Sequence, residues 1–342
     1  MIFIKKWEII DDNIVLCDRE SGKLTNLKHS KIVRKKLTYK YWDYLAWAVA
    51  TIPNNRVLSI GFGAGTFVQL LEKWGAHSSG VGLEIDDSFD DFNKLYANYD
   101  VIYGDFRNTL QSVHSDYDTI IVDVYNEQGY VEEAYDSVWI EKYLSLKKKD
   151  GIVILHCLDI LGTLTAADIS VPKVSTILNS LISSVRKLTN EEIYIVPLWT
   201  SYLLWIGPVP RRIDTNVEEL NWLDKFFRLR LCQVDILNND LPVLDTPWSY
   251  QRINQVNSSI VESLKELDYS EYDKYSNLIK ILSNVLQKEP TIDEINMSID
   301  MLENLNIGAN PKIHLYSFLL AMKEEWVNAE NVLDDNKLTI HI

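Results

Sequence analysis

The sequence predicts an α/β fold, a doubly wound and mostly parallel sheet with a small N-terminal β unit and a C-terminal helical extension. Three observations lead to this prediction. Short apolar runs alternate with amphipathic segments between residues 56 and 157, the first 36 residues hold three apolar–polar runs, and the residues after 250 have helical spacing. We therefore expect three regions, at 1–36, 37–250 and 251–342, in this chain of 342 residues.

The N-terminal unit is predicted from apolar–polar alternation, the pattern of half-buried strands. Its strands are expected at 3–10, 13–17 and 23–27, with acidic and glycine-containing turns between them. Residues 1–40 carry ten Lys/Arg against five Asp/Glu, which indicates a solvated basic face. The alternative is a patch that receives an anionic group of a substrate.

The central region is predicted to alternate strands and helices. Near-continuous apolar strands spaced by helices favour a parallel sheet that is covered on both faces. The strands are expected at 57–60, 80–85, 101–103, 119–124 and 151–157, and the helices at 66–74, 88–96, 107–113, 137–144 and 171–188. An aromatic helix at 37–50 precedes them, and paired strands at 193–198 and 202–207 close the domain.

The last region changes character, and its helical spacing is interrupted at Pro290 and at 308–311. Helices are expected near 256–267, 272–288, 291–305 and 312–333. We interpret them as an appendage that packs on the main domain. The alternative is a surface for a protein partner.

Composition disfavours several classes of function. A net charge of −15 argues against binding of a nucleic-acid duplex, which needs a clustered positive surface. The three cysteines, Cys17, Cys157 and Cys232, have no paired spacing and the six histidines form no ligand group, so we expect no metal. The sequence has no apolar run of membrane-spanning length and no signal-peptide pattern, which predicts no membrane contact and a cytoplasmic location.

The strongest chemical signal is the glycine loop 61–65, Gly-Phe-Gly-Ala-Gly, between a predicted strand and a predicted helix. Glycine at Gly61, Gly63 and Gly65 lets the backbone approach a ligand at the helix N-terminus, where side chains would block it. This arrangement is typical of Rossmann-like nucleotide-binding domains. A glycine loop alone does not distinguish one nucleotide cofactor from another.

Three acidic residues follow at the ends of successive predicted strands. Glu84 lies about twenty residues after the loop, where a carboxylate accepts hydrogen bonds from ribose hydroxyls. Asp105 ends the next strand, where it can accept a bond from an adenine amino group, and Asp123 ends the strand after it. Each acid alone is more often an N-cap or a surface charge. Their order along the ligand-binding edge of the sheet indicates a nucleoside site.

The order of these motifs resembles that of the spermidine and spermine synthases, the aminopropyltransferases among the class I S-adenosylmethionine-dependent transferases. The similarity covers residues 37–250 and includes segments at 138–144, 149–152, 196–201 and 241–245. The resemblance implies S-adenosylmethionine or its decarboxylated form as the cofactor, without a metal.

The resemblance also implies roles for individual residues. Asp123 would be the catalytic carboxylate, which takes a proton from the attacking nucleophile. The cofactor-binding set is Gly61, Gly63, Ala64, Gly65, Glu84, Ile85, Asp105 and Phe106. The substrate-binding set is Tyr41, Tyr125, Asn126 and His156. Tyr41 and His156 are included for their places in the predicted fold rather than for the resemblance, although such aromatic and histidine residues are more often part of a core.

Two positions depart from the family pattern. The family usually has an aspartate at the position of Ala64, where it pairs with the ammonium of the decarboxylated donor. An aspartate would repel the carboxylate of intact S-adenosylmethionine, so Ala64 favours the intact donor. Asn126 stands where a second aspartate holds a diamine, and a neutral amide binds a cation less well, so a diamine acceptor is disfavoured.

Three functions remain open. The first is an alkyltransferase of the aminopropyltransferase type, which moves an aminopropyl or 3-amino-3-carboxypropyl group to a small molecule or to a modified peptide or nucleotide, as in antibiotic maturation. The second is a small-molecule methyltransferase on the same fold. The third is a non-catalytic partner protein. A homodimer also stays open, because relatives with this fold are often dimers.

Overall fold

The structure is a computed structural model that describes residues 5–10, 13–18, 24–126, 129–158, 176–198, 201–209, 211–213, 215–233, 290–305 and 309–335. The described residues form two compact units. The first draws on Met1–Glu127, Lys142–Val153 and Val209–Ile213, and the second on Gln128–Glu141, Ile154–Pro208 and Asp214–Ile342. The helices predicted at 256–267 and 272–288 lie outside the described residues, as does the start of the one predicted at 171–188.

The strands and helices are numbered in chain order. The strands are β1 Lys5–Ile10, β2 Asn13–Asp18, β3 Leu24–Lys31, β4 Asn55–Ile60, β5 Ser78–Glu84, β6 Tyr99–Tyr103, β7 Tyr117–Val122, β8 Tyr125–Asn126, β9 Gly129–Tyr130, β10 Lys147–Leu158, β11 Ile193–Pro197, β12 Ser201–Ile206 and β13 Cys232–Gln233. The helices are α1 Tyr41–Ala50, α2 Thr66–Trp74, α3 Asp90–Asn93, α4 Phe106–Thr109, α5 Ser137–Leu146, α6 Thr176–Leu188, α7 Glu218–Arg230, α8 Ile292–Glu303, α9 Ala309–Met322 and α10 Trp326–Asp335. Single 3₁₀ turns lie at Asp87–Phe89, Leu110–Ser112 and Glu132–Tyr135.

The N-terminal β unit is confirmed as an antiparallel sheet of β1, β2 and β3. Strand β3 continues beyond the predicted end at 27, and its last residue and the segment that follows it contact α2. The backbone N–H of Lys31 donates to Thr66 Oγ1 at 2.9 Å, and that of Val33 donates to Gln69 Oε1 at 2.9 Å. These bonds fasten the end of the small sheet to the helix that follows the glycine loop.

The parallel sheet is also confirmed. In the first unit β4 pairs in parallel with β5 and β7, and β5 pairs in parallel with β6. Side chains of β4 and β7 are buried along almost their whole length, which is why these segments appear in the sequence as continuous apolar runs. In the second unit β11 pairs antiparallel with β12, as the predicted hairpin requires, and with β13. Strand β10 begins in the first unit, where it lies next to β7, so the strand order of this part is β10-β7-β4-β5-β6. The predicted mostly parallel α/β sheet is thus confirmed.

Helix α2 has the bounds that the sequence predicts. Gly65 precedes it and Gly75 follows it, and both glycines have left-handed backbone conformations, with φ of 65° and 68°. The N–H of Gly75 donates to the carbonyl of Glu72 at 3.1 Å, a standard helix C-cap. Two helices predicted nearby are shorter than expected. The segments 88–96 and 107–113 each fold as one 3₁₀ turn joined to the single-turn helices α3 and α4.

Helix α7 was not predicted, and in the second unit it packs against the C-terminal helices. The Trp222 ring stacks on Phe226 with centroids 4.9 Å apart, and the Trp222 indole N–H donates to Ser317 Oγ of α9 at 2.8 Å. Lys225 forms ion pairs with Glu330 and with Asp334 of α10. These contacts bring together residues about a hundred positions apart, which local sequence patterns cannot show.

The helix predicted at 312–333 is in fact two helices, α9 and α10. Glu324 has a φ of 62°, a left-handed conformation that ends α9. The next amide, that of Glu325, donates back to the carbonyl of Leu320 at 3.0 Å, as in a helix C-cap. A glutamate in this conformation gives no sequence signal, because glycine usually occupies such positions. No helix within the described residues is long and apolar enough to span a membrane.

His314 of α9 is a fully buried titratable group in the second unit. Its ring lies edge-on to Phe226, and neither ring nitrogen has a hydrogen-bond partner within the described residues. Burial, with a smaller effect of the Arg230 charge, lowers the pKa of His314 from 6.5 to about 3. The unfolded chain therefore binds a proton that the folded chain does not bind between these two pH values.

We predict that acid destabilises the protein through His314. Stability should be lost as the pH falls from 6.5 towards 3, because the unfolded state gains the proton first. His314→Leu should make the free energy of unfolding, measured by urea titration, less dependent on pH in this window. The exposed His77 provides the control variant His77→Gln, and an equal slope for wild type and His314→Leu would contradict the assignment.

Candidate functional site

The glycine loop lies between β4 and α2, and its conformation requires glycine. Gly61, Gly63 and Gly65 have φ values of 81°, 56° and 65°, in the left-handed region. A Cβ added to Gly61 would lie 2.1 Å from the carbonyl oxygen of Asp123, far inside van der Waals contact. The loop and the end of β7 are therefore in backbone contact, which brings Asp123 next to the loop.

Glu84, at the end of β5, binds the glycine loop directly. One carboxylate oxygen accepts from the N–H of Gly63 at 2.7 Å, and the other accepts from the N–H of Asp86 at 3.0 Å. The residue is only 9% exposed, and burial raises the pKa of Glu84 although these backbone bonds oppose the shift. Beside it the Ile85 side chain is 70% exposed, an apolar surface next to a buried acceptor.

Ala64 is held from both sides by polar groups, and its methyl group is fully buried. The methyl packs with Phe89, and the partly buried Phe92 lies against the same cluster. The Ala64 N–H donates to Ser30 Oγ at 2.9 Å, and its carbonyl accepts from the Tyr96 hydroxyl at 2.9 Å. An aspartate here would bury a carboxylate against aromatic rings. Apolar packing is thus a second reason for alanine, separate from the charge of the donor.

Asp105 follows β6 and caps helix α4. Its carboxylate accepts from the backbone N–H of Arg107 at 2.9 Å and forms an ion pair with the Arg107 guanidinium. The bond from the Arg107 side chain lowers the pKa of Asp105 against a smaller opposing effect of burial. The predicted contact of Asp105 with an adenine amino group would therefore share the carboxylate with Arg107. Phe106, the next residue, is buried.

Asp123 follows directly on β7. Its N–H donates to the carbonyl of Ile60 at 2.8 Å, so its backbone is fixed to the end of β4. Tyr125, also assigned to the substrate site, is half-buried in β8. The side chain of Asn126 lies outside the described part of the structure, and its proposed role stays a prediction.

Tyr41 is the first residue of α1, and its ring centroid lies 4.6 Å from that of Trp42. The turn before it is held by Asp43, which accepts from the N–H and hydroxyl of Thr38 and from the N–H of Tyr39. Burial raises the pKa of Asp43 to about 6, against the effect of these bonds. This buried acid was not identified from the sequence, where it resembles any polar residue of a helix.

His156 belongs to the second unit. It is buried, its Nε2 shares a hydrogen bond of 2.9 Å with Ser201 Oγ, and its carbonyl accepts from the Tyr135 hydroxyl. The structure therefore brings Gly61, Gly63 and Glu84 together with Asp123 in the first unit. His156 is a buried, hydrogen-bonded residue of the other unit.

Two polar residues near the loop were missed by sequence reasoning. The buried Asn93 of α3 donates through its amide to the carbonyl of Gly63 at 3.0 Å and to the Tyr103 hydroxyl oxygen at 3.1 Å. No motif marks either residue, because both contacts depend on how α3 and β6 pack. Within the described part of the chain, no group of three or more His, Cys, Asp or Glu residues is arranged to hold a metal.

The chain matches no family model and no curated protein. Among solved structures it is similar to a probable spermidine synthase from Corynebacterium glutamicum ATCC 13032, at 12% identity over 74% of this chain and 90% of that chain, with a TM-score of 0.44. Spermidine synthase from Thermotoga maritima is 14% identical over 75% and 82%, with a TM-score of 0.40. Aeropyrum pernix fibrillarin with natively bound S-adenosyl-L-methionine is 13% identical over 60% and 100%, also with a TM-score of 0.40. Likenesses at these identities and TM-scores carry no argument about activity.

We predict that Gly61→Ala disrupts the site whereas Gly75→Ala does not. Both glycines have positive φ, so each alanine carries a similar backbone strain of about 1 kcal/mol. Only at position 61 does the new Cβ meet backbone, since nothing lies within 4 Å of a Cβ at position 75. Thermal melting of the two variants should show a clearly larger loss for Gly61→Ala, and equal losses would contradict the described approach of the loop to Asp123.

Proposed function

We propose that the chain is an S-adenosylmethionine-dependent transferase whose donor binds at the carboxyl ends of β4, β5 and β6. The observation that carries the proposal is the pair Glu84 and Ile85. Glu84 is a buried acceptor bonded to the glycine loop, and Ile85 exposes an apolar side chain beside it. A nucleoside needs both features, since ribose hydroxyls donate to a carboxylate and a base packs on apolar surface.

The residues around the loop fit a nucleoside donor. Both carboxylate oxygens of Glu84 accept from backbone N–H groups, and the carboxylate keeps acceptor capacity for a ribose hydroxyl. Because Gly63 has no side chain, its backbone is uncovered at the point where its N–H donates to Glu84. Helix α2 begins directly after the loop, and the positive end of its dipole favours an anionic group.

Intact S-adenosylmethionine suits this loop better than its decarboxylated form. The buried methyl of Ala64 offers no acid to a donor ammonium. The start of α2 suits the carboxylate that only the intact donor carries. The donor proposed here is therefore S-adenosylmethionine itself.

Asp123 is the proposed catalytic carboxylate. When bound, the donor would supply a carbon activated by its sulfonium, from which sulfur could leave with the electron pair of the carbon–sulfur bond as a nucleophile is alkylated. Asp123 accepts the proton that the nucleophile loses. The N–H of Asp123 is held by Ile60, and its carbonyl lies against Gly61, so its position relative to the loop is fixed by backbone.

The group transferred is proposed to be 3-amino-3-carboxypropyl, and the acceptor a small molecule or a modified peptide or nucleotide. Methyl transfer is the second candidate. It is favoured by the same observation at Ala64, because methyltransferases also use the intact donor. The two candidates differ only in which carbon on sulfur faces the nucleophile.

The nucleoside product separates the two candidates. We expect the protein, incubated with S-adenosylmethionine and candidate acceptors, to release methylthioadenosine, which liquid chromatography with mass spectrometry identifies. Release of S-adenosylhomocysteine would establish methyl transfer instead. If no acceptor gave either product while the donor still bound, the transferase proposal would be wrong.

Asp123→Asn in the same assay tests the catalytic carboxylate. Turnover should fall about 100- to 10,000-fold, the range expected for loss of a general base, with donor affinity little changed. Asp118→Asn is the matched control, since Asp118 lies at the other end of β7 and pairs with Lys148. Equal turnover in the two variants would exclude the role given to Asp123.

A further inference from the structure

Tyr103 lies directly opposite Glu84 in the parallel pairing of β5 and β6. Both residues end their strands, and the N–H of Gly104 donates to the Glu84 carbonyl at 2.8 Å. Ligands of open α/β sheets bind at this edge. Tyr103 is only half-buried, so part of the residue is accessible to solvent.

A chain of hydrogen bonds connects the two side chains. Glu84 accepts from the N–H of Gly63 at 2.7 Å, and the carbonyl of Gly63 accepts from the Asn93 amide at 3.0 Å. The same amide nitrogen donates to the Tyr103 hydroxyl oxygen at 3.1 Å. The Asn93 amide thus donates to the loop and to Tyr103. Its buried Oδ1 has no partner among the described residues.

The hydrogen bond from Asn93 determines whether the Tyr103 hydroxyl can donate or accept a further hydrogen bond. Its oxygen already accepts, so its hydrogen is directed elsewhere, and no described residue accepts it. Burial raises the pKa of the Tyr103 hydroxyl, and the negative charges of Asp90 and Glu84 raise it further. The hydrogen bond from Asn93 opposes this shift. The group therefore keeps its hydrogen at neutral pH and acts as a donor.

We propose that Tyr103 is a further ligand-contacting residue, whose hydroxyl donates to a ribose hydroxyl oxygen of the nucleoside held by Glu84, with Asn93 as its positioning residue. A ribose hydroxyl both donates and accepts. A carboxylate can only accept and the oriented phenol can donate, so Glu84 and Tyr103 together match a hydroxyl group. This inference rests on the nucleoside site proposed above, and it makes the site selective for a ribose over a deoxyribose.

Calorimetric titration with S-adenosylhomocysteine tests the inference. Tyr103→Phe should weaken binding about 3- to 10-fold, the effect of losing one neutral hydrogen bond. Tyr99→Phe is the matched control, because Tyr99 begins the same strand and its hydroxyl bonds Ser78 at 2.8 Å at the opposite end. Its affinity should equal that of wild type.

The selectivity for ribose distinguishes contact from a structural effect. Wild type should bind S-adenosylhomocysteine more tightly than its 2′-deoxy or 3′-deoxy analogue, and Tyr103→Phe should reduce one of these two ratios. Asn93→Leu should reduce the same ratio, and adding Tyr103→Phe to it should change the ratio no further. If Asn93→Leu does not fold, Tyr103→Phe alone decides.

The outcomes separate this inference from the function on which it rests. Absence of S-adenosylhomocysteine binding by wild type would overturn the proposed function itself. In a second outcome, wild type binds, and Tyr103→Phe and Tyr99→Phe equal it in affinity and in both ratios. This result would overturn the role of Tyr103 but would not contradict the nucleoside site.

Discussion

The hydrogen bond between the Glu84 carboxylate and the Gly63 N–H is the interaction on which the proposed site depends. At 2.7 Å it ties the end of β5 to the glycine loop, and it places a buried acceptor where a nucleoside would lie. Burial raises the pKa of Glu84, because the charged carboxylate loses favourable hydration when it is buried. The charged form therefore costs folding free energy. A ligand that donates hydrogen bonds to Glu84 would offset that cost, and this is the physical reason to expect a diol there.

The conformation of the glycine loop is restricted, because its backbone groups contact several different elements. Gly61 lies against the backbone of Asp123, which joins the loop to β7. The N–H of Ala64 is bound by Ser30 from the N-terminal unit, and its carbonyl by Tyr96, which follows α3. The small N-terminal sheet therefore contributes directly to the conformation of the glycine loop. This offers a reason for its presence that the sequence did not suggest.

The features that could be predicted from the sequence are those encoded locally. The alternation of strands and helices predicted the sheet, and the glycine loop that ends in Gly65 predicted the start of α2. The unpredicted features depend on contacts between distant residues. Helix α7 packs through Trp222 on Ser317, and Glu324 adopts a conformation normally left to glycine. At the site, the role of Glu84 could be proposed from spacing, and that of Asp123 from the resemblance to the aminopropyltransferases.

Two residues of the predicted site are buried in the structure. Ala64 suits the charge of the proposed donor, and its methyl also belongs to an apolar cluster that no motif reveals. His156 is likewise a buried partner of Ser201.

The proposed donor site is tested most directly by calorimetric binding of S-adenosylhomocysteine to wild type, Glu84→Gln and the exposed-acid control Glu72→Gln, with folding checked by thermal melting. Wild type and Glu72→Gln should bind, and Glu84→Gln should lose about 10-fold or more in affinity, since charged hydrogen bonds are lost. Undiminished binding by a folded Glu84→Gln would contradict the role of Glu84.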